Sequence, residues 1–157
     1  MRMETSRRLF NLCSLLMSTL FAYSASVQLN DPDWYFWFPL YSCACLINLT
    51  NFIITTKLNK SIERIVLWVG ILLCSKVVVE DFLYEIAGFW SLDLSERVVR
   101  EKIGSIFVVI SIILQMEAAS NIHKDISNIV KYGMVILVVF SYMLPFVFFV
   151  VLKGEIK

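Results

Sequence analysis

One apolar segment of this 157-residue sequence carries four ionisable side chains, Lys76, Glu80, Asp81 and Glu85. Lys76 is expected near the middle of the segment, where a charge costs ~2.5–3.5 kcal/mol on insertion scales and needs a partner. Glu80 follows four residues later on the same helix face, whereas Asp81 and Glu85 turn away and are expected in water at the outer interface. The spacing predicts a Lys76–Glu80 ion pair buried between helices. The alternative is a proton or ion relay, since intramembrane ionisable residues are often functional.

A later apolar segment carries another carboxylate, Glu117, which has no basic residue four positions away. Two alternatives follow for this group. Lys76 could pair with Glu117 across a helix bundle instead of with Glu80, or Glu117 could be protonated because burial disfavours its charged form. The single histidine, His123, falls in a polar loop and is interpreted as a surface residue, because a metal site needs several ligands.

The segment Gln28–Asp33 reads Gln-Leu-Asn-Asp-Pro-Asp and lies between two apolar runs. Asp31 followed by Pro32 is typical of a helix start, with aspartate as the N-cap and proline at the first helical position. Asp33 then falls in the first turn, where the helix dipole favours an anion. The pattern predicts a tight reversal between two helices. The alternative is a binding role for the two carboxylates.

Signatures of common enzyme and cofactor sites are absent from the sequence. It contains no His-Glu-x-x-His, no Gly-x-Ser-x-Gly, no phosphate-binding glycine loop and no histidine pair for haem. The cysteines all fall in apolar stretches, where they are expected to behave as small hydrophobes; they are Cys13, Cys43, Cys45 and Cys74. These observations predict no cofactor, no metal and no catalytic residue, and they favour a non-enzymatic protein.

The elements that must position the polar residues are apolar helices. Hydrophobic residues make up 59% of the chain and charged residues 17%, against roughly 45–50% and 25% in soluble proteins. The apolar runs are continuous, unlike the alternating strands of a membrane β-barrel. We therefore expect an all-α, polytopic membrane helix bundle of one domain. It has five transmembrane helices, at about residues 8–29, 32–55, 61–86, 93–122 and 126–152, with a kink at Pro145.

Charge predicts the orientation and the partners of the bundle. The N-terminus and the connections after the second and fourth helices carry more lysine and arginine than the other side. The N-terminus is therefore expected in the cytoplasm, or in the matrix of a mitochondrion, and the C-terminus on the opposite side. A net charge of +1 gives no basic field for nucleic acid. The expected partners are the lipid bilayer and other membrane proteins in a larger complex.

The polar motifs resemble those of a known family. Gln28-x-Asn30-Asp31-Pro32-Asp33, followed by Trp37 and Tyr41, resembles the transmembrane protein 220 family, and Arg100-Glu101 with Gly104 is a second point of likeness. The chain is also similar in size and in its five-segment layout, so the likeness covers nearly its whole length. The resemblance implies this architecture and carries no activity over.

Three functions are compatible with the sequence. The first is a non-enzymatic accessory, assembly or regulatory component that acts through helix contacts in the membrane. The second is transport of a proton, ion or small solute along a path lined by Lys76, Glu80 and Glu117. The third is a membrane enzyme, or a metal or lipid binder, that uses outer-face carboxylates. The candidate polar site common to these hypotheses comprises Asn30, Asp31, Asp33, Lys76, Glu80, Asp81, Glu85, Arg100, Glu101 and Glu117.

Overall fold

The structure, a computed structural model, describes residues 2–53, 57–84, 94, 96–120 and 126–152. The helices in chain order are α1 (Arg2–Gln28), α2 (Trp34–Ile53), α3 (Lys57–Tyr84), α4 (Arg97–Ser120) and α5 (Asn128–Phe146), followed by a π-helical segment (Val147–Leu152). Regular structure in these residues is helical throughout, which confirms the all-α fold class predicted from the apolar runs.

The helix boundaries differ from the apolar runs where polar residues are good helix formers. α1 begins at Arg2, before its apolar run, and Glu4 pairs with Arg8 one turn later. α2 begins at Trp34, because the preceding residues form the turn that connects it to α1. Glu85, His123 and the predicted start of the fourth helix at residue 93 lie outside the described residues.

The five helices close into a ring. Each helix packs against the next, α5 returns to α1, and α2 also contacts α4 across the centre. The α1–α2 and α3–α4 hairpins have the most extensive contacts. The core between them is made of fully buried apolar side chains: Met17, Phe21, Trp37, Ala44, Val77, Val108, Ile112 and Met134.

Three segments of this ring are long and apolar enough to cross a membrane, namely Glu4–Gln28, Arg97–Ser120 and Asn128–Phe146. Large hydrophobic side chains cover the outside of the bundle, for example Leu72, Phe82 and Phe140. A soluble protein rarely exposes such a continuous apolar surface, whereas a lipid-facing surface requires one.

The helix type changes next to Pro145, where the sequence predicts a kink. α5 ends directly after Pro145, at Phe146, and the chain continues as the π-helical segment. Proline lacks the backbone N–H that continues an α-helical ladder. The N–H of Val147 accordingly contacts the carbonyls of Met143 and Leu144. The change of helix type therefore follows from the proline.

Candidate functional site at the Asp33 end of the bundle

Charged side chains from α3, from α4 and from the turn before α2 meet at one end of the bundle, where α1 and α3 end and α2 and α4 begin. We call this the Asp33 end, and the opposite end the N-terminal end. The charge cluster at the Asp33 end consists of Asp33, Lys76, Glu80, Arg97 and Glu101. Four of these five residues belong to the polar site predicted from the sequence, and Arg97 is an addition.

Asp33 is the centre of the charge cluster. Its Oδ1 accepts a hydrogen bond from Arg97 Nη1 at 3.2 Å, and its Oδ2 accepts one from Trp37 Nε1 at 3.1 Å. Lys76 Nζ lies 3.8 Å from Oδ2. Because Asp33 lies directly before α2, it also sits at the positive end of that helix dipole. One short side chain thus joins α2 to both α3 and α4.

Arg97 and Glu101 form a second pair within α4. Arg97 Nε lies 3.5 Å from Glu101 Oε1, one helical turn away. The Glu101 side chain is only 1% exposed, and among the described residues its Oε1 has this ion pair but no hydrogen bond. Arginine at a helix N-terminus opposes the helix dipole. The carboxylates of Asp33 and Glu101 offset that cost.

The predicted Lys76–Glu80 ion pair is confirmed, with 3.5 Å between Nζ and Oε2. Its predicted surroundings are wrong, because the Lys76 side chain is 45% exposed and lies beside Asp33. The alternative pairing with Glu117 is also wrong. Gly70 packs against Val109, so Lys76 is level with the first two turns of α4, whereas Glu117 is near the end of that helix, about 18 Å further along at 1.5 Å per residue.

Glu117 itself lies at the N-terminal end and is exposed. The burial that this alternative assumed is therefore absent. The hydroxyl of Ser120 donates a hydrogen bond to the backbone carbonyl of Glu117 at 2.8 Å. The structure therefore separates Glu117 from the rest of the predicted polar site.

Asp81 is the largest correction to the predicted site. The sequence predicts it in water at the interface, but its side chain is 2% exposed. Lys102 Nζ of α4 donates a 2.6 Å hydrogen bond to its Oδ2, and the Lys102 side chain is 7% exposed. The contact is possible because Asp81 and Lys102 face each other across the α3–α4 hairpin. A buried charge without a partner is very costly, so this pair must form together.

The Gln28–Asp33 turn matches the predicted reversal but begins its helix later. The N–H of Asp31 bonds to the carbonyl of Gln28 at 3.0 Å, and the N–H of Trp34 bonds to the carbonyl of Asp31 at 3.2 Å. The N–H of Asn30 bonds to the carbonyl of Val27 at 3.4 Å. Asp33, rather than Asp31, is thus the residue before α2, and its carboxylate is used for ion pairs.

Next to the charge cluster is a cavity of about 350 Å³ between α1, α4 and α5. Its polar wall is formed by Gln28, Asp31, Tyr41 and Arg100, and the rest is mainly apolar. Gln28 is 7% exposed, and its Oε1 has no hydrogen-bond partner among the described residues. A buried amide oxygen left unsatisfied costs about 1–3 kcal/mol. The Gln28 oxygen is therefore a buried acceptor without a donor among the described residues, beside the cavity.

Tyr41 and Gly104 form the tightest packing contact beside this cavity. The Tyr41 hydroxyl sits directly over the Cα of Gly104, in the space that a Cβ would occupy. The ring is 2% exposed and stacks between Phe21 and Trp37, with centroids 6.3 Å away on each side. Glycine at position 104 is therefore required by close packing of α2 on α4.

A second polar group, which we call the amide network, lies deeper in the bundle. It consists of Ser14, Asn48, Ser111 and Gln115, all at most 2% exposed. Gln115 Nε2 donates to Ser14 Oγ at 2.6 Å and to Asn48 Oδ1 at 2.8 Å. Ser111 Oγ also donates to Asn48 Oδ1, at 3.1 Å, and Asn48 Nδ2 donates to the carbonyl of Ala44 at 2.9 Å. These bonds join α1, α2 and α4.

An apolar layer separates the amide network from the Asp33 end. It is formed by Met17, Phe21, Ala44 and Val108, each at most 1% exposed. On α4, Val108 lies between Gly104 and Ser111, which are about 10 Å apart at 1.5 Å per residue. Two buried hydroxyls lie at the level of this layer: Ser18 Oγ contacts Cys45 Sγ at 3.3 Å, and Ser141 Oγ donates to Met17 Sδ at 3.5 Å. The four layer residues themselves are apolar.

The residues that sequence reasoning missed carried signals of two kinds. Arg97 and Lys102 were counted only as positive charges that orient the chain. The four-residue spacing of Arg97 and Glu101 is nevertheless the usual spacing of a helical ion pair. Asn48 lies inside a long apolar run, where an amide is expected to find a partner. The Asp81–Lys102 pair has no local signal.

Comparison with known proteins gives one match. A family model described as Transmembrane family 220, helix, matches residues 20–117 of the chain. No match was found among curated proteins or solved structures. The matched span contains the whole charge cluster, the whole polar wall of the cavity and both residues of the Tyr41–Gly104 contact. Within the described residues, no group of three or more His, Cys, Asp or Glu side chains is placed to hold a metal ion.

Proposed function

The chain belongs to transmembrane family 220, and we propose that it is a non-enzymatic accessory component that binds a partner membrane protein at its Asp33 end. The family membership confirms the resemblance that the Gln28–Asp33 motif indicated. Together with the three membrane-capable helices, it makes the chain an integral membrane protein. The binding of a partner membrane protein is the part that we propose.

The observation that carries this proposal is the preorganised charge cluster beside exposed aromatic rings. Trp34, Tyr35 and Phe36 are exposed at the start of α2, and Lys76 Nζ lies 5.9 Å from the centre of the Phe36 ring. Aromatic and arginine side chains are enriched at the energetic centres of protein interfaces. Charges already held in place lose little conformational entropy when a partner binds. This surface therefore has the properties of a recognition site.

Transport is the second candidate, because ionisable groups in a membrane often line a pathway. The apolar layer disfavours this function. A proton or ion moving between the charge cluster and the amide network would have to pass the packed side chains of Met17, Phe21, Ala44 and Val108. Opening that layer would require helix movement.

Site-specific cross-linking in the native membrane tests the proposed partner binding. A photoreactive amino acid replaces Phe36 at the Asp33 end, and a matched control replaces Ile136, which is exposed on α5. We expect a discrete protein cross-link from position 36 and only lipid cross-links from position 136. Asp33→Asn should weaken the cross-link from position 36, because it removes the negative charge that faces Arg97 and Lys76.

Cross-links of the same intensity from both positions, or none from position 36, would contradict the proposal. Transport is tested separately with purified protein in vesicles containing a pH-sensitive dye. We expect the proton flux to equal that of protein-free vesicles. Flux above that level, reduced by Glu101→Gln, would establish the second candidate instead.

The orientation predicted from charge remains a proposal, with the N-terminal end in the cytoplasm or matrix and the Asp33 end on the other side. In a variant with the native cysteines replaced, single cysteines are placed at Lys60 and at Asn30, which are both exposed and at opposite ends. A membrane-impermeant thiol reagent added from outside should label position 30 and spare position 60. The reverse pattern would invert the orientation.

A further inference from the structure

We infer that an exposed face of α3 binds a transmembrane helix of the partner membrane protein, and that this helix carries an aspartate or glutamate opposite Lys76. The inference rests on the proposed partner binding and adds the element and the chemistry of the partner. The face, which we call the α3 stripe, consists of exposed residues three or four positions apart: Ile65, Val69, Leu72, Lys76, Val79 and Leu83.

The spacing of the α3 stripe is that of a surface on which another helix packs. Side chains three or four positions apart follow one line along a helix, and such lines form the seams between paired helices. The apolar residues of the stripe are 39–68% exposed, so the described part of the chain leaves them uncovered. Lipid hydrocarbon can cover these residues, but it offers no partner to Lys76. The stripe therefore fits an occupant that is both apolar and acidic.

Lys76 has hydrogen-bond donors that the described residues do not fill. Its ammonium has three N–H groups. The carboxylate oxygens that face it belong to Glu80 and Asp33 and lie 3.5 and 3.8 Å from Nζ, beyond the roughly 2.7–3.2 Å of a normal hydrogen bond. Arg97, by contrast, donates a hydrogen bond to Asp33 at 3.2 Å. Because the Lys76 side chain is 45% exposed, a carboxylate on a docked helix can reach its donors.

The outermost charges of the cluster are its cations. The side chains of Lys76 and Arg97 are 45% and 34% exposed, whereas those of Glu80, Asp33 and Glu101 are 26%, 14% and 1% exposed. Although the cluster contains three carboxylates and two cations, the surface that it offers to a partner is therefore positive. An acidic side chain complements this surface, and the attraction strengthens when the docked helix excludes water.

The surroundings of the α3 stripe offer further contact area. α3 and α4 enclose an apolar groove of about 340 Å³, lined by Val79 of the stripe together with Ile71 and Ile110. Side chains of a docked helix can fill such a groove, as ridges fill grooves between packed helices. The Phe36 ring lies 5.9 Å from Lys76 Nζ. The stripe is thus continuous with the surface at which partner binding is proposed.

Cross-linking from the stripe tests where the partner helix lies. A photoreactive amino acid replaces Leu72 in the native membrane, and the matched control replaces Ile136, which is exposed on α5. We expect position 72 to cross-link to the same protein as position 36, and position 136 to cross-link only to lipid. A protein cross-link from position 36 with none from position 72 would leave the proposed function intact and overturn this inference. The reverse result would support the α3 stripe and contradict binding at Phe36.

A carbodiimide tests the chemistry of the contact. The reagent joins a lysine to a neighbouring carboxylate as an amide and takes up the water that is lost. Peptide mass spectrometry of the treated membranes should find Lys76 joined to an aspartate or glutamate of the protein that cross-links from position 72. Amides of Lys76 with Glu80 or Asp33 alone, no amide at Lys76, or an adduct of lipid mass would overturn the inference.

Variants of Lys76 measure how much the ammonium contributes. Lys76→Met should reduce the protein cross-link from position 72 roughly tenfold, the scale of one hydrogen bond to a charged group, and Lys76→Arg should retain most of it. Lys76→Met combined with Glu80→Gln keeps the net charge of the cluster and should lose the cross-link to the same extent. Lys60→Met, exposed at the N-terminal end, is the control and should have no effect. An unchanged cross-link in both Lys76→Met chains would overturn the acidic partner.

Discussion

The charge cluster and the amide network both link α4 to α2, but they do so with different chemistry. In the charge cluster, Asp33 accepts from Trp37 and Arg97 and also faces Lys76. In the amide network, two neutral donors of α4, Ser111 and Gln115, share one acceptor of α2, Asn48 Oδ1. A charge with several partners keeps one of them when another is removed, whereas buried neutral bonds require one geometry. The comparison teaches that the charge cluster has redundant contacts and the amide network does not.

The buried Asp81–Lys102 pair is the exception within the charged end, and breaking it should have the largest effect. Lys102→Met should lower the free energy of unfolding by about 3–5 kcal/mol, because it leaves a buried carboxylate without its cation. Arg64→Met, at an exposed position of α3, is the matched control and should change stability by no more than about 0.5 kcal/mol. Thermal unfolding in detergent measures both.

The double variant Asp81→Leu with Lys102→Met sharpens this prediction. Removing both charges should recover much of the lost stability, since a buried pair can often be exchanged for apolar residues. Losses that simply add in the double variant would show that the two side chains do not depend on each other.

The next largest effect is expected at the contact between the two regions. Gly104→Ala places a Cβ where the Tyr41 hydroxyl lies, and overpacking of this kind costs about 1–3 kcal/mol. Tyr41→Phe in the same chain should restore stability by removing the hydroxyl. Gly133→Ala is the control, because its Cβ would meet only the end of the Leu114 side chain, at 3.2 Å. Equal melting temperatures for the two alanine variants would contradict the packing account.

Within the amide network the expected effect is smaller. Asn48→Leu removes the acceptor of both Ser111 and Gln115. Hydrogen bonds between membrane helices contribute about 0.6 kcal/mol on average and up to about 1.7 kcal/mol, so a loss of about 1–2 kcal/mol is expected. The unfolding transition should also broaden if the network specifies one packing arrangement. A sharper or more stable transition would show that the network is not specific.

The smallest effect is expected for Lys76 and Glu80. Lys76 is 45% exposed and also faces Asp33, so Glu80→Gln leaves it a second partner. Exposed pairs one turn apart contribute about 0.3–0.5 kcal/mol. Glu80→Gln should therefore change stability by no more than that amount, and the loss should shrink in high salt. A loss as large as that of Lys102→Met would mean that Lys76 is far less solvated than the structure indicates.

The structural features that could be predicted from the sequence are those that depend on the spacing of residues close together in the chain. The helical class follows from the apolar runs, the Lys76–Glu80 pair from one helical turn, and the reversal at Gln28–Asp33 from turn chemistry. The burial of Asp81 could not be predicted, because it depends on how α3 and α4 face each other. The same is true of Lys102, whose partner lies 21 residues away in the chain. The sequence alone does not distinguish a lysine or an aspartate at the membrane interface from one in the protein core, because the difference depends on which helix the side chain faces.

The Tyr41–Gly104 contact constrains how the bundle can move. The hydroxyl occupies a notch in α4, so α4 cannot slide along α2 without withdrawing a ring that stacks between Phe21 and Trp37. Further along, the hydrogen bond from Ser111 to Asn48 joins the same two helices a second time. α2 and α4 therefore form a rigid strut. A relative movement of the helices is therefore expected between this pair and its neighbours and not within the pair.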